Sequence, residues 1–239
     1  SDALGALTGN TKPKYDTQED VYVGILKELD EANSILDDAK GNIGGDVIYK
    51  GKASQWKRLV NAFRLRVLIH LSKKEANAEL NIKTQFQNIV GNPATYPLMS
   101  GPEDNGQIVF NSSATSNYYP TSGSLSVGTA VSLEAGMADI LKTRNDPRLF
   151  SFAEPISGLP ANVYANYAGV NAGLTVAEQQ TASANASRIN RRYPDLNNPV
   201  NEPLILVGYP EQEFLIAEAI SRGWVTGGGT AEEHYKNGI

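Results

Sequence analysis

Glu211, Glu213 and Glu218 are the residues best suited to bond-breaking chemistry, because two carboxylic acids can serve as the acid and the base of a glycoside hydrolase. Their spacing argues against it. Glu211 and Glu218 are seven residues apart, so on a helix they share one face about 10 Å apart along the axis. Catalytic carboxylates instead face each other across a substrate cleft. Glu211 and Glu213 directly follow Pro210, a favoured first-turn residue, where the helix macrodipole stabilises negative charge. They read as helix-end carboxylates and Glu218 as a paired, partly buried one. No catalytic residue is assigned, and the chain is not expected to be an enzyme.

Other chemistries fall with composition. The 239 residues contain no cysteine and only two histidines, His70 and His234, so thiolate and multi-histidine metal centres are not expected, and no cofactor is. His70, among Val67, Ile69 and Leu71, reads as a hydrogen-bonded core imidazole, and His234 reads as solvated. No Gly-x-Ser-x-Gly elbow, Walker loop, dinucleotide fingerprint or His-Glu-x-x-His is present. The run Gly227-Gly228-Gly229 lacks the lysine of a phosphate loop and reads as a connector. Arg58, Arg64 and Arg66 lie on an otherwise apolar segment, where guanidinium groups need carboxylates or carbonyls, so structural pairing is the default reading.

Recognition remains. Asn111-Ser112-Ser113-Ala114-Thr115-Ser116-Asn117-Tyr118-Tyr119 and Asn162-Val163-Tyr164-Ala165-Asn166-Tyr167 mix aromatic rings with neutral amides and hydroxyls. A sugar offers an apolar C–H face that stacks on an aromatic plane, and a rim of hydroxyls that both donate and accept. Asn117, Tyr118, Tyr119, Tyr164, Asn166 and Tyr167 are therefore the candidate ligand-binding residues. The competing reading, that these tyrosines pin long loops onto the helices, stays open at this stage.

The elements that would carry these residues divide the chain. Residues 17–92 read as helical. Thr17-Gln18-Glu19-Asp20 is a start signal, followed by an apolar stripe through Tyr22, Ile25, Leu26, Leu29, Ala32 and Leu36. Ser54 reads as the cap of a second helix, nearly all buried and including Trp56. A third runs roughly from Ala76 to Val90 and stops before Pro93. Residues 93–209 are loop-rich: 11 of the 12 prolines fall between Pro93 and Pro210, and Asn105 to Leu133 carries no charge. One helix, about Val131 to Lys142, interrupts them and ends at Asn145-Asp146-Pro147-Arg148. Residues 210–239 read as a helical hairpin whose second member starts at the capping box Thr230-Ala231-Glu232-Glu233. A helix of about ten residues is marginal alone, so further sequence is expected beyond Ile239.

With 41% hydrophobic residues the chain can bury a sizeable core. Lys plus Arg number 21 against 26 Asp plus Glu, a net charge of −5, and no basic block suggests a nucleic-acid partner. No apolar run approaches the 18 residues needed to span a bilayer. The fold class expected is mainly α, with tetratricopeptide-like helical hairpins and long irregular loops.

Several phrases occur in order: Pro13-Lys14-Tyr15-Asp16, Gly45-Asp46-Val47-Ile48-Tyr49, Trp56-Lys57-Arg58-Leu59-Val60-Asn61-Ala62-Phe63-Arg64-Leu65-Arg66, Asn145-Asp146-Pro147-Arg148, and Glu213-Phe214-Leu215-Ile216-Ala217-Glu218-Ala219 followed by Gly223-Trp224. Together they resemble the SusD/RagB-like family of surface nutrient-binding lipoproteins, over nearly the whole chain. Ser1-Asp2-Ala3-Leu4 resembles the end of a family phrase, so 1–239 is expected to be a single SusD-like α-helical domain, incomplete at both ends. The resemblance implies a non-catalytic glycan-binding protein that captures oligosaccharides or polysaccharides, starch among them, and delivers them to a SusC-like TonB-dependent outer-membrane transporter. It implies nutrient uptake at the cell surface, with attachment to the outer membrane only through a lipid on a cysteine that this chain lacks. A peptide-binding member of the family, or a helical-repeat scaffold that binds only protein, is the alternative. Arg64, Arg66, Asp146 and Arg148, inside the family phrases, are the candidates for buried ionic scaffolding.

Overall fold

The computed structural model describes residues 9, 12, 14–120, 131–193, 200 and 202–239. Ser1 to Leu4, Pro13 and the middle of the uncharged stretch, 121–130, lie outside the described residues. The protein is mainly α: eight α-helices are present among the described residues, with one two-stranded sheet. The chain divides into two compact units, 1–108 with 205–239, and 109–204.

In the first unit α1 (Gln18–Ile35) begins where Thr17 Oγ1 accepts from the Asp20 N–H at 3.1 Å, satisfying one of the orphan donors of a first turn. Helix α2 (Ala53–His70) lies centrally, packed against α1, α3 (Ile82–Gly91) and α7 (Tyr209–Ser221). Its cap differs from expectation. Lys52 is the capping residue and makes no side-chain cap bond; the Asp38 carboxylate, brought from the preceding turn, accepts from Ser54 N–H at 2.8 Å. Leu65 and Leu68 of α2 are fully buried with Phe86 and Ile89 of α3, Ile216 of α7 and Trp224. Trp56, expected in the core, is only half-buried: its indole N–H donates to Asp46 Oδ2 at 2.8 Å and its ring meets Tyr49 edge-on.

The third helix starts at Ile82, later than the apolar spacing predicts. The Asn77 side-chain oxygen accepts from the N–H groups of Glu79 and Leu80, and Asn81 adopts a left-handed φ of 42°, so local side-chain bonding wins over helix across 75–81. Polar side chains then tie the unit together across its buried seams. Asn61 of α2 donates to Asn33 of α1 at 2.9 Å and to the Pro97 carbonyl at 3.0 Å. Gln212 of α7 pairs with the Met99 backbone as a strand would, accepting from N–H at 2.8 Å and donating to C=O at 3.0 Å. Strand β1 (Gly106–Ile108) pairs with β2 (Leu204–Val207), and α8 (Ala231–Asn237) packs on α7. The expected Thr230–Glu233 capping box is present in full.

Asp104 anchors the 99–105 segment to α2. Its carboxylate accepts from the Ser100 N–H and hydroxyl, both at 2.8 Å, and pairs with Arg58, while its carbonyl accepts from the Tyr49 hydroxyl at 2.7 Å. Burial alone would raise its pKa; the Ser100 donors and the Arg58 guanidinium outweigh that and hold it below the usual carboxylate value. A carboxyl held low in the folded state stabilises fully above its unfolded value, near about 4, and that stabilisation is lost as pH falls through the lower folded value. Asp104→Asn is therefore expected to lower stability at pH 7 and to flatten the acid limb of the stability–pH curve. Urea midpoints measured from pH 7 down to pH 3 check this; parallel curves for variant and parent would contradict it.

The second unit contains α4 (Ala135–Thr143), α5 (Arg148–Phe152) and α6 (Val176–Ser183), laced by isolated bridges between Ser132 and Arg188, Glu134 and Val170, and Ala153 and Ile189. Its core is Leu133, Ala138, Leu141, Leu149, Ala153 and Tyr167. Gly169 allows two backbones to meet: a Cβ there would stand 2.4 Å from both Ala135 N and Glu134 C, so any side chain would force the 168–170 segment off the start of α4.

Candidate functional site

The neutral loop residues all lie in the second unit. In the segment 109–120 a short turn at Thr115–Asn117 folds Asn117 back onto Asn111, whose N–H donates to the Asn117 carbonyl at 3.1 Å. The Asn117 amide then donates to Asn111 Oδ1 at 3.1 Å and to Ser113 Oγ at 2.9 Å. Tyr118 and Tyr119 follow, each half-exposed, with the Tyr119 ring edge-on to Phe110 at 5.0 Å. This sets Tyr119 against an apolar partner next to the Asn111–Ser113–Asn117 hydrogen-bonded turn in sequence.

Around Tyr164 the aromatic support is Phe150 of α5. The Tyr164 ring lies 4.6 Å from Phe150, tilted by 40°, and Tyr167 lies 5.4 Å from the same ring. Tyr167 is 1% exposed and belongs to the core. Its carbonyl accepts from Lys142 Nζ at 2.9 Å, so it holds Phe150 and Tyr164 in place beside α4. Asn166 uses its amide to donate to the Pro160 carbonyl at 2.8 Å and its backbone carbonyl to accept from Ile156 N–H. The structure thus groups Tyr164 with Tyr167 through Phe150, and Asn117 with Asn111 and Ser113. No hydrogen bond or ring contact joins the two groups among the described residues.

Phe150 is the residue that the sequence reading passes over. Pro147, expected to end α4, instead occupies the capping position of α5: α4 stops at Thr143, and Asn145 turns left-handed with φ 50° before Asp146, whose Oδ1 accepts from Arg148 N–H at 3.0 Å. The Asp146-Pro147 pair was the available signal for a new helix start. A second missed signal is Thr175-Val176-Ala177-Glu178, a complete capping box that starts α6 within the stretch read as loop.

The three carboxylates best suited to catalysis are each engaged with a cation or a histidine. Glu211 forms a two-point pair with Arg66, whose Nη2 also donates to the Leu206 carbonyl at 2.9 Å. Glu218 pairs with Arg222 one turn along, at 2.6 Å, on the exposed face of α7. Glu213 is buried, and its Oε2 faces His234 Nδ1 at 2.8 Å. The two histidines exchange the roles expected of them. His70 is exposed, because as the last residue of α2 it points away from the core. His234 is mostly buried between Glu213 and the Gly228 carbonyl, which lies 3.0 Å from Nε2, so both ring nitrogens face protein oxygens. Arg64 is buried and pairs with Asp30 at 2.8 Å, whereas the Asp146–Arg148 pair is open to solvent on the arginine side. That guanidinium holds the Asp146 carboxyl below the usual range. No helix among the described residues is long and apolar enough to cross a membrane.

The described residues form a mainly helical fold with long polar segments, and comparison with known proteins places it. The chain matches the SusD-like family model, described as starch-binding and associating with the outer membrane, over residues 1–239. It belongs to that family. No curated protein matches the chain. Among solved structures it is similar to an outer membrane protein of Bacteroides vulgatus described as involved in nutrient binding, with 36% identity and a TM-score of 0.85, covering 100% of this chain and 52% of that one. It is also similar to a SusD homolog from Bacteroides fragilis, with 34% identity and a TM-score of 0.83, covering 100% and 50%. A chitin-binding protein matches with 29% identity and a TM-score of 0.73 over 96% of this chain and 48% of its own. The chain therefore spans about half the length of the solved structures it matches.

Proposed function

We propose that this chain is part of a single SusD-like domain of a non-catalytic, surface-exposed protein that binds oligosaccharides or polysaccharides and delivers them to a SusC-like TonB-dependent transporter of the outer membrane, to which a lipid attaches the whole protein. The match of all 239 residues to a family described as starch-binding carries the reading; the 29% identity with a chitin-binding protein supports the glycan class. Within the chain, Tyr118, Tyr119 and Tyr164 offer the rings, and Asn117 and Asn166 the neutral donors and acceptors, that an uncharged sugar needs, with Tyr167 supporting Tyr164 through Phe150. Glu211, Glu213 and Glu218 are each held in a structural pair, which agrees with binding rather than cleavage.

Calorimetric titration with maltooligosaccharides and chitooligosaccharides, beside a panel of soluble peptides, tests the reading. A glycan is expected to bind, and Tyr118→Ala or Tyr164→Ala to weaken it about tenfold, the equivalent of one aromatic stack of roughly 1.5 kcal/mol. Binding of peptides with no response to any glycan would overturn the ligand assignment. Release of reducing ends during incubation would overturn the non-catalytic one.

A further inference from the structure

The chain leaves the first unit after Ile108 and re-enters it at Ile205, so residues 109–204 are an insertion within the helical scaffold. The strands that carry these two points, β1 and β2, are hydrogen-bonded neighbours, about 5 Å apart. Each is seated on the first unit by contacts of its own. Gly106 lies so close to α2 that a Cβ there would stand 2.1 Å from Leu59 Cδ1. Asn105 Oδ1 accepts from Tyr209 N–H at 2.7 Å, which ties the approach to β1 to the first residue of α7. The Leu206 carbonyl accepts from Arg66 Nη2 at 2.9 Å, and Val207 is buried with Ala62 and Met99. Every one of these residues belongs to the first unit.

The inserted segment carries a core of its own. The cluster that includes the fully buried Leu149 and Tyr167 is formed by residues of 109–204 alone, and among the described residues it shares no member with the clusters of the first unit. The bridges Ser132–Arg188, Glu134–Val170 and Ala153–Ile189 and the ring contacts of Phe150 also close within the segment. Its length is within the usual range of an independently folding piece of chain. An insertion whose two ends are already neighbours adds only a loop-closure cost that grows slowly with length, so the scaffold does not depend on the insertion being folded.

We propose that 109–204 is a separate cooperative unit, joined through the β1–β2 pair, which unfolds and refolds while the first unit and the strand pair stay intact, and that glycan binding secures this unit alone. The second clause rests on the glycan reading, whose candidate rings, Tyr118, Tyr119 and Tyr164, all lie inside the insertion. A ligand stabilises only the cooperative unit that holds its site, so its binding free energy adds to the protection of 109–204 and not to that of the scaffold.

Native-state hydrogen exchange of the intact chain, read segment by segment by mass spectrometry, tests both clauses. Leu149 is 0% exposed, and Leu149→Ala is expected to speed exchange across 138–143 and 149–153 about a hundredfold. Exchange across 60–69 and 106–108 is expected to stay within about twofold of the parent. Should the variant leave 109–204 unfolded outright, parent-like protection of 60–69 and 106–108 gives the same support. A rise by a common factor in both units overturns the proposal and makes the chain one cooperative unit. Maltoheptaose or chitohexaose, at about a hundred times its Kd, is expected to slow exchange across 138–143 and 149–153 by up to about a hundredfold and to leave 60–69 unchanged. Equal slowing in both units overturns the second clause. If neither sugar binds, the glycan reading fails and the second clause with it, whereas the Leu149→Ala comparison needs no ligand and still decides the first.

Discussion

Phe86→Ala is expected to destabilise the first unit by about 3–5 kcal/mol, the range for truncating a fully buried aromatic ring. Phe86 is 0% exposed on α3, a helix of only ten residues that could not persist without packing. Its ring meets Trp224 edge-on at 5.9 Å, in the same cluster as Leu65 and Leu68 of α2 and Ile216 of α7. One side chain therefore shares a cluster with elements from the first part of the chain and from near its end. Trp224 reports on the event directly, since its indole N–H donates to Glu75 Oε1 at 3.1 Å and its emission should change when the cluster opens. Urea unfolding followed by tryptophan fluorescence should show a lower midpoint with an unchanged slope. A loss below about 1 kcal/mol would mean that α3 is not held by this core.

Glu213→Leu is expected to cost about 3–5 kcal/mol, because it removes one member of a buried pair and leaves the other without its acceptor. Glu213 Oε2 faces His234 at 2.8 Å and accepts from Asn237 at 3.3 Å, while Oε1 accepts from Gln212 at 3.2 Å. Both His234 and Asn237 belong to α8, seven residues long, so this carboxylate is the main polar attachment of α8 to α7. Hydrogen exchange should then show the amides of 231–237 losing protection ahead of those in α2. Glu213→Gln retains an acceptor oxygen facing the imidazole and should recover part of the loss. Equal protection of 231–237 in Glu213→Leu and parent would show that apolar packing alone holds α8.

Local signals in the sequence were legible wherever the deciding interaction is itself local. Thr17 and Thr230 cap their helices through contacts three residues away, so the residues that decide the outcome lie within one turn. The same chemistry at Thr175 is obscured by the loop-like composition around it, and Pro147, which reads as a helix end, is the cap of a new helix. Among the candidate ligand residues, composition points to two segments but does not sort the rings within them. Tyr164 and Tyr167 are three residues apart with similar neighbours; Phe150, carried in by α5, and the core beneath it leave one half-exposed and the other buried.

What the sequence determined by itself was the mainly helical class, the family, and the starts of α1, α7 and α8, because apolar periodicity and capping depend on residues adjacent along the chain. Tertiary structure alone decided which charges are buried and with whom. His70 faces solvent and His234 is enclosed, Glu213 meets a histidine 21 residues later, and Arg66 meets a glutamate 145 residues away. Burial and pairing of an ionisable side chain depend on surfaces brought from distant parts of the chain, and the residues beside it in sequence hold no record of them.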